Sequence, residues 1–186
     1  MALAAAGQDL SWTGFHGIAL PVSSTAGPRD TRGGLASGFA DTPRGALLAA
    51  INIGVRTAAQ WGTAIFGPTI TRQVTGPEAT ALLRAQSIAY AQLRAVAHVR
   101  PGQPTGRGDA AEAGYRFVAY TPAEATVDIV TAGAGDGGTT VLASTRIQVI
   151  WQRGDWRVVA PPGGDWANSA TAISSLTGYT IFPGER

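Results

Sequence analysis

The side chains whose types could carry proton-transfer chemistry are Asp128, Tyr120 and Tyr115. A carboxylate enclosed beside a phenol makes a general acid–base pair, provided a cavity holds both. Alternation along the strand turns Asp128 away from its apolar neighbours Val127 and Ile129, toward Arg146 on the next strand. A solvated cross-strand ion pair is therefore favoured over a buried acid. His16 and His98 are the two histidines, and a zinc site would need both of them plus a carboxylate from distant segments. His98 sits at the end of a helical pattern, where a cation suits the helix dipole. Gly133-Ala134-Gly135-Asp136-Gly137-Gly138 matches G-x-G-x-x-G. A strand follows it instead of a helix, so a hairpin loop explains it better than a dinucleotide site. Arg153-Gly154-Asp155 stands at a hairpin tip, where turn chemistry alone selects Gly and Asp. Ser37 lacks the spacing of a nucleophile elbow. No catalytic, cofactor or metal residue is expected. The candidate cavity or partner contacts are Tyr115, Tyr120, Asp128, Trp151, Trp156, Trp166, Tyr179 and Phe182.

Composition narrows the classes further. The chain has 186 residues, enough for one domain with a substantial core and tails. Hydrophobic residues make up 45% and charged residues 14%, which argues against disorder. All 14 basic residues are arginine, read first as GC-rich coding bias, and the net charge is +2. The arginines are scattered singly, so the clustered basic face of a nucleic-acid binder is not expected. Cysteine is absent, which excludes disulfides and thiolate chemistry. No apolar run reaches the roughly 20 residues that span a bilayer. The start, MALAAAGQDL, is a poor signal peptide. Any membrane anchor is expected outside this chain.

The elements that must position these residues fall in a clear order. Residues 1–41 read as an extended arm carrying the apolar patch Trp12 to Leu20. Thr42-Pro43 starts a helix over roughly 43–60, with Leu47, Ile51 and Val55 on its apolar side and Asn52 and Arg56 near its polar edge. Trp61-Gly62 breaks it, and Gly67-Pro68 starts a short turn or helix to Gln73. Gly76-Pro77-Glu78 opens a second long helix to about Ala97, with Leu82, Ala85 or Gln86, Ala89, Leu93 and Val96 on its stripe. Arg100 to Ala113 reads as a linker. The period then switches to two. Gly114–Tyr120, Ala125–Thr131 and the long hairpin Thr139–Pro162 form a four-strand meander, with Tyr115, Phe117 and Ala119 on one face and Arg116, Val118 and Tyr120 on the other. Pro161-Pro162 ends the ladder. A short helix is expected from about 166 to 176, capped by Asp165. Tyr179, Ile181 and Phe182 are too apolar for a solvated tail. The fold class is α+β: N-terminal helices on a curved, cone-like four-stranded antiparallel sheet over residues 42–160, with arms at 1–41 and 161–186.

The run Trp151-Gln152-Arg153-Gly154-Asp155-Trp156-Arg157-Val158, ending a helices-then-sheet order, resembles the nuclear transport factor 2-like (cystatin-like) superfamily. Within it, the flanks Gly38-Phe39-Ala40-Asp41-Thr42-Pro43-Arg44-Gly45-Ala46 and Ala160-Pro161-Pro162-Gly163-Gly164-Asp165-Trp166 are similar to extracytoplasmic, TcpC-like domains of actinobacterial conjugative-transfer and type IV secretion proteins. That resemblance implies a non-catalytic domain that acts by homo-oligomerising and docking protein partners of a transfer complex, at the extracytoplasmic face of the membrane and without direct nucleic-acid contact. The alternative is a small-molecule binder or an isomerase, cyclase or hydrolase using the cone cavity. A cone filled with side chains would remove that alternative.

Overall fold

The Thr42 side chain accepts a hydrogen bond from the Gly45 N–H and caps α1, Pro43–Arg56, with proline in the first turn as expected. A Cβ on Gly45 would lie 1.9 Å from the Ala40 carbonyl, so glycine is required for the incoming chain to cross the helix. The computed structural model describes residues 9–183. It is a mixed α+β structure with three α-helices and a mostly antiparallel sheet among those residues.

Buried residues run unbroken from Gly45 to Ile53, so α1 is buried all round and lies at the centre. One side faces the sheet. The other is covered by a hairpin of β1, Leu10–Phe15, and β2, Ile18–Ser23. The N-terminal arm is therefore a folded hairpin, and Leu20, Ala26, Ala36 and Phe39 belong to the core. This hairpin also explains why Asn52 and Arg56 are buried instead of lying at a polar edge. Asn52 Nδ2 donates to the carbonyls of Pro21 and Leu48, and Arg56 Nη1 donates to the Asn52 carbonyl and Oδ1. The Arg56 guanidinium stacks over the Phe15 ring at 4.3 Å, and burial pulls it down to about 10. Asp9 ties down the start of β1 by accepting from the hydroxyls of Ser23, Ser24 and Thr25, which hold its carboxyl well below the usual range.

The second helix, α2, spans Thr63–Gln73 and starts four residues earlier than Gly67-Pro68 suggests. Pro68 lies inside it and forfeits one helical bond. Burial of Phe66 and Ile70 offsets that loss. A two-residue strand, β3, Val74–Thr75, follows, and then α3, Ala79–Ala97. Only the first part of the expected α3 stripe is buried: Leu82 packs in the core, but Leu93 is 43% and Val96 82% exposed. Tyr90, whose hydroxyl donates to the Gln103 carbonyl at 2.9 Å, is the buried anchor of the second half. Leu93 therefore does not reach the sheet.

The meander forms as read: β4, Ala111–Tyr120; β5, Glu124–Ala134; β6, Thr140–Gln152; β7, Asp155–Val159. The sheet is larger than four strands. β3 pairs parallel with β7. The C-terminal segment adds β8, Ala170–Ile173, against β6, and β9, Thr180–Ile181, against β4. The helix expected over 166–176 is instead a single 3-10 turn, Trp166–Ser169, running into β8. Asp165 does cap that turn, accepting from the Ala167 N–H. Ala and Thr at 170–173 take the extended state because β6 offers an open edge there, a tertiary effect that overrides propensity. The segment 161–182 is thus part of the body, and Phe182 lies in the core.

Candidate functional site

The two faces of the sheet have different fates. On the helix side, Val127, Val149, Trp156 and Val158 are fully buried against α1. Trp156 donates its indole N–H to the Ala40 carbonyl, and Trp151 packs edge-on to it at 5.4 Å. This side is filled with side chains. Tyr115 and Tyr120 also lie on it. A bulge between Phe117 and Ala119 shifts the register, so Tyr120 joins Tyr115 and Phe117 on the core face rather than Arg116 on the other. Phe117 meets Tyr115 at 6.1 Å and Tyr120 at 6.2 Å, and Tyr115 packs on Phe182 at 5.0 Å. The candidate pair of Asp128 and Tyr120 is therefore split between opposite faces of the sheet.

Asp128 faces the outer side. It is not solvated: its side chain is 4% exposed. Arg146 donates from Nε to Oδ1 at 2.7 Å and from Nη2 to Oδ2 at 3.1 Å, and Arg116 Nη2 donates to Oδ2 at 2.7 Å. Register explains the convergence, since Arg116, Asp128 and Arg146 are direct partners across three adjacent strands. Burial pushes the Asp128 carboxyl up, but the hydrogen bonds from Arg146 and Arg116 outweigh it and hold the group below its ordinary 3.8. Such a carboxylate is a poor base, because its lone pairs are occupied and its proton affinity is low. The Arg146 partner is legible from neighbouring strands; Arg116, absent from the expected pair, is a second partner that strand parity across β4 and β5 also places there.

Tyr179 and Trp166 complete this outer site. The Arg116 guanidinium lies 4.6 Å over the Tyr179 ring, and the Tyr179 hydroxyl donates to Ser144 at 3.0 Å. The Trp166 indole N–H donates to the Thr57 hydroxyl, tying the C-terminal segment to the end of α1. Pairing of β6 with β7 ends at Val149, and pairing with β8 begins at Thr145. The sheet therefore splits at Arg146, Ile147 and Gln148. An open trough of about 940 Å³ lies over this split, floored by Arg116, Asp128 and Arg146 and walled by Pro77, Glu78, Pro161, Pro162 and Trp166. Nothing in the C-terminal sequence signals the trough, because it exists only once β8 and β9 have docked.

The remaining motifs are structural. The G-x-G-x-x-G stretch is the β5–β6 connection, closed by the Gly135 N–H donating to the Thr139 carbonyl. At the β6–β7 tip, Arg153 and Gly154 are both left-handed, as a two-residue hairpin turn requires. The Asp155 carboxylate accepts from the backbone N–H groups of Gly38 at 2.8 Å and Phe39 at 3.1 Å, so it is committed inside the molecule. His98 ends α3 in a left-handed conformation, and His16 turns the β1–β2 hairpin and stacks on Trp61. Among the described residues, no group of three or more metal-ligating side chains comes together, and no helix is long and apolar enough to cross a membrane.

The model of one protein family, described as a domain of unknown function (DUF8175), matches residues 1–181. The chain belongs to that family. No curated protein and no solved structure matches it. For this DUF8175 domain, the match spans the hairpin, the helices and the C-terminal strands alike, so the trough and both of its walls lie within the family's boundaries.

Proposed function

We propose that this domain is a non-catalytic binding module whose outer sheet face, a cone-like scaffold, docks a protein partner in the trough over β6. The observation that carries this reading is the Arg116–Asp128–Arg146 floor. A carboxylate held ionised by two guanidiniums is a fixed electrostatic platform and a poor acid or base. The wall of proline and Trp166 beside it supplies apolar contact of the kind found in recognition grooves. The resemblance of the flanks to TcpC-like domains supports a membrane-associated conjugative-transfer or type IV secretion-like machine as the setting. Homo-oligomerisation and an extracytoplasmic location belong to the same proposal. The packed helix side of the sheet speaks against an enzyme that uses the cone interior.

The test is site-specific photocrosslinking in the cells that encode the protein. A crosslinker at Thr171, on the trough, is expected to give a discrete protein adduct in the membrane fraction. The same group at the exposed Ala91 on α3 is the control. No adduct from Thr171, with the protein running as a partnerless soluble monomer, would overturn the proposal.

A further inference from the structure

We infer that the trough over β6 takes an extended acidic peptide, an unstructured protein segment that presents a side-chain carboxylate to Arg116 and Arg146. This rests on the binding-module reading and names the partner's chemistry. The floor carries two guanidiniums against one carboxylate, an excess of one positive charge. The arginine side chains are 46% and 56% exposed, although Asp128 beneath them is buried. Asp128 engages Nε and Nη2 of Arg146 and Nη2 of Arg116. Among the described residues, Arg146 Nη1 and the Nε and Nη1 of Arg116 have no hydrogen-bond partner. A guanidinium already fixed in the plane of its first carboxylate is ready to accept a second, because little side-chain freedom remains to be lost.

The shape selects among anions. The trough is open to solvent instead of enclosed, which suits a segment lying across it better than a small molecule held in a closed cavity. Pro77 and Pro162 present apolar surface with no N–H to compete for the peptide, and Trp166 adds an aromatic face. Glu78 in the wall offsets the floor's excess charge, which disfavours a polyanion such as nucleic acid and leaves the attraction local to the two exposed guanidiniums, where a single well-placed carboxylate can reach it.

The experiment is an NMR titration of the isotope-labelled full chain with acetyl-Gly-Val-Glu-Val-Gly-amide and with the same peptide carrying Gln for Glu. The glutamate peptide is expected to shift the Arg116 and Arg146 Nε–H signals and the Trp166 indole, with at least tenfold weaker binding for the glutamine peptide. Arg146→Gln should weaken the glutamate peptide at least tenfold, and Thr171→Trp, an exposed change that fills the trough without touching the floor, should abolish the shifts. Equal binding of both peptides at the trough would overturn the acidic specificity and leave the binding-module reading standing. Glutamate-dependent shifts that survive Thr171→Trp would overturn the site. Inorganic phosphate displacing the peptide at equal concentration would show a plain anion site and overturn the peptide assignment. Absence of any response to either peptide, combined with a Thr171 crosslink in cells, would overturn this inference alone; absence of both would sink the binding-module reading as well.

Discussion

Glu112 on β4 is buried at its carboxyl tip, and among the described residues its Oε2 has no hydrogen-bond partner. It pairs across the ladder with Thr131, on the core face of β5. Desolvation pushes its carboxyl from an ordinary 4.5 to about 7. A carboxyl that holds its proton more tightly when folded penalises the folded state once that proton must leave. The penalty is absent below about pH 4.5, grows as pH rises, and is complete above about 7. At roughly 1.4 kcal/mol per tenfold change in proton affinity, it reaches about 3 kcal/mol. Glu112→Gln keeps the shape and removes the titration. Urea unfolding of both proteins from pH 5 to pH 8.5 is the assay. The stability difference, variant minus wild type, should rise by about 2.5 kcal/mol across that range, part of the penalty being present already at pH 5. Parallel pH profiles for wild type and Glu112→Gln would refute the reasoning, since they would mean that Glu112 reaches solvent or a partner in solution.

Three further outcomes are expected. Asp155→Ala leaves the Gly38 and Phe39 N–H groups without their acceptor, and should cost about 2–4 kcal/mol in urea unfolding while loosening the 38–40 segment in hydrogen exchange. Asp128→Asn removes the charge that Arg116 and Arg146 share, and should destabilise by about 2 kcal/mol at pH 7. Because the folded Asp128 carboxyl is held below its ordinary value, that deficit should be constant above about pH 4 and shrink as pH falls below it; a deficit unchanged down to pH 2 would contradict the ion-triad account. Gly164→Ala puts a Cβ 2.4 Å from the Leu82 N at a φ of +68°, and should cost more than about 2 kcal/mol and displace the proline wall of the trough, read by the Trp166 indole shift.

Much of the frame was legible in the residues. Alternation along Ala125–Thr131 and Thr140–Gln152 is strict enough to fix strands and facing, and Thr42-Pro43 marks a helix start by local chemistry alone. What failed was set at a distance. Asn52 and Arg56 look like a polar edge until the β1–β2 hairpin closes over them. Tyr120 changes sides because one bulge inverts the parity of β4, and nothing local announces that bulge. Ala170–Ile173 carries too few residues to show a period and becomes a strand because β6 has a free edge. The candidate site followed the same division. Asp128 with Arg146 was readable from neighbouring strands, whereas the walls that make a trough of them arrive from the C-terminal segment.

The split of the sheet at β6 has a mechanical consequence. β6 is paired with β5 along eleven consecutive positions, and Arg146 lies near the middle of that ladder. A tether gripping Arg146 and pulling along the strand would load those hydrogen bonds in shear, side by side, instead of unzipping them from one end. Rupture would then require many bonds to fail together, so the face proposed to dock a partner lies on the ladder that resists such a pull best.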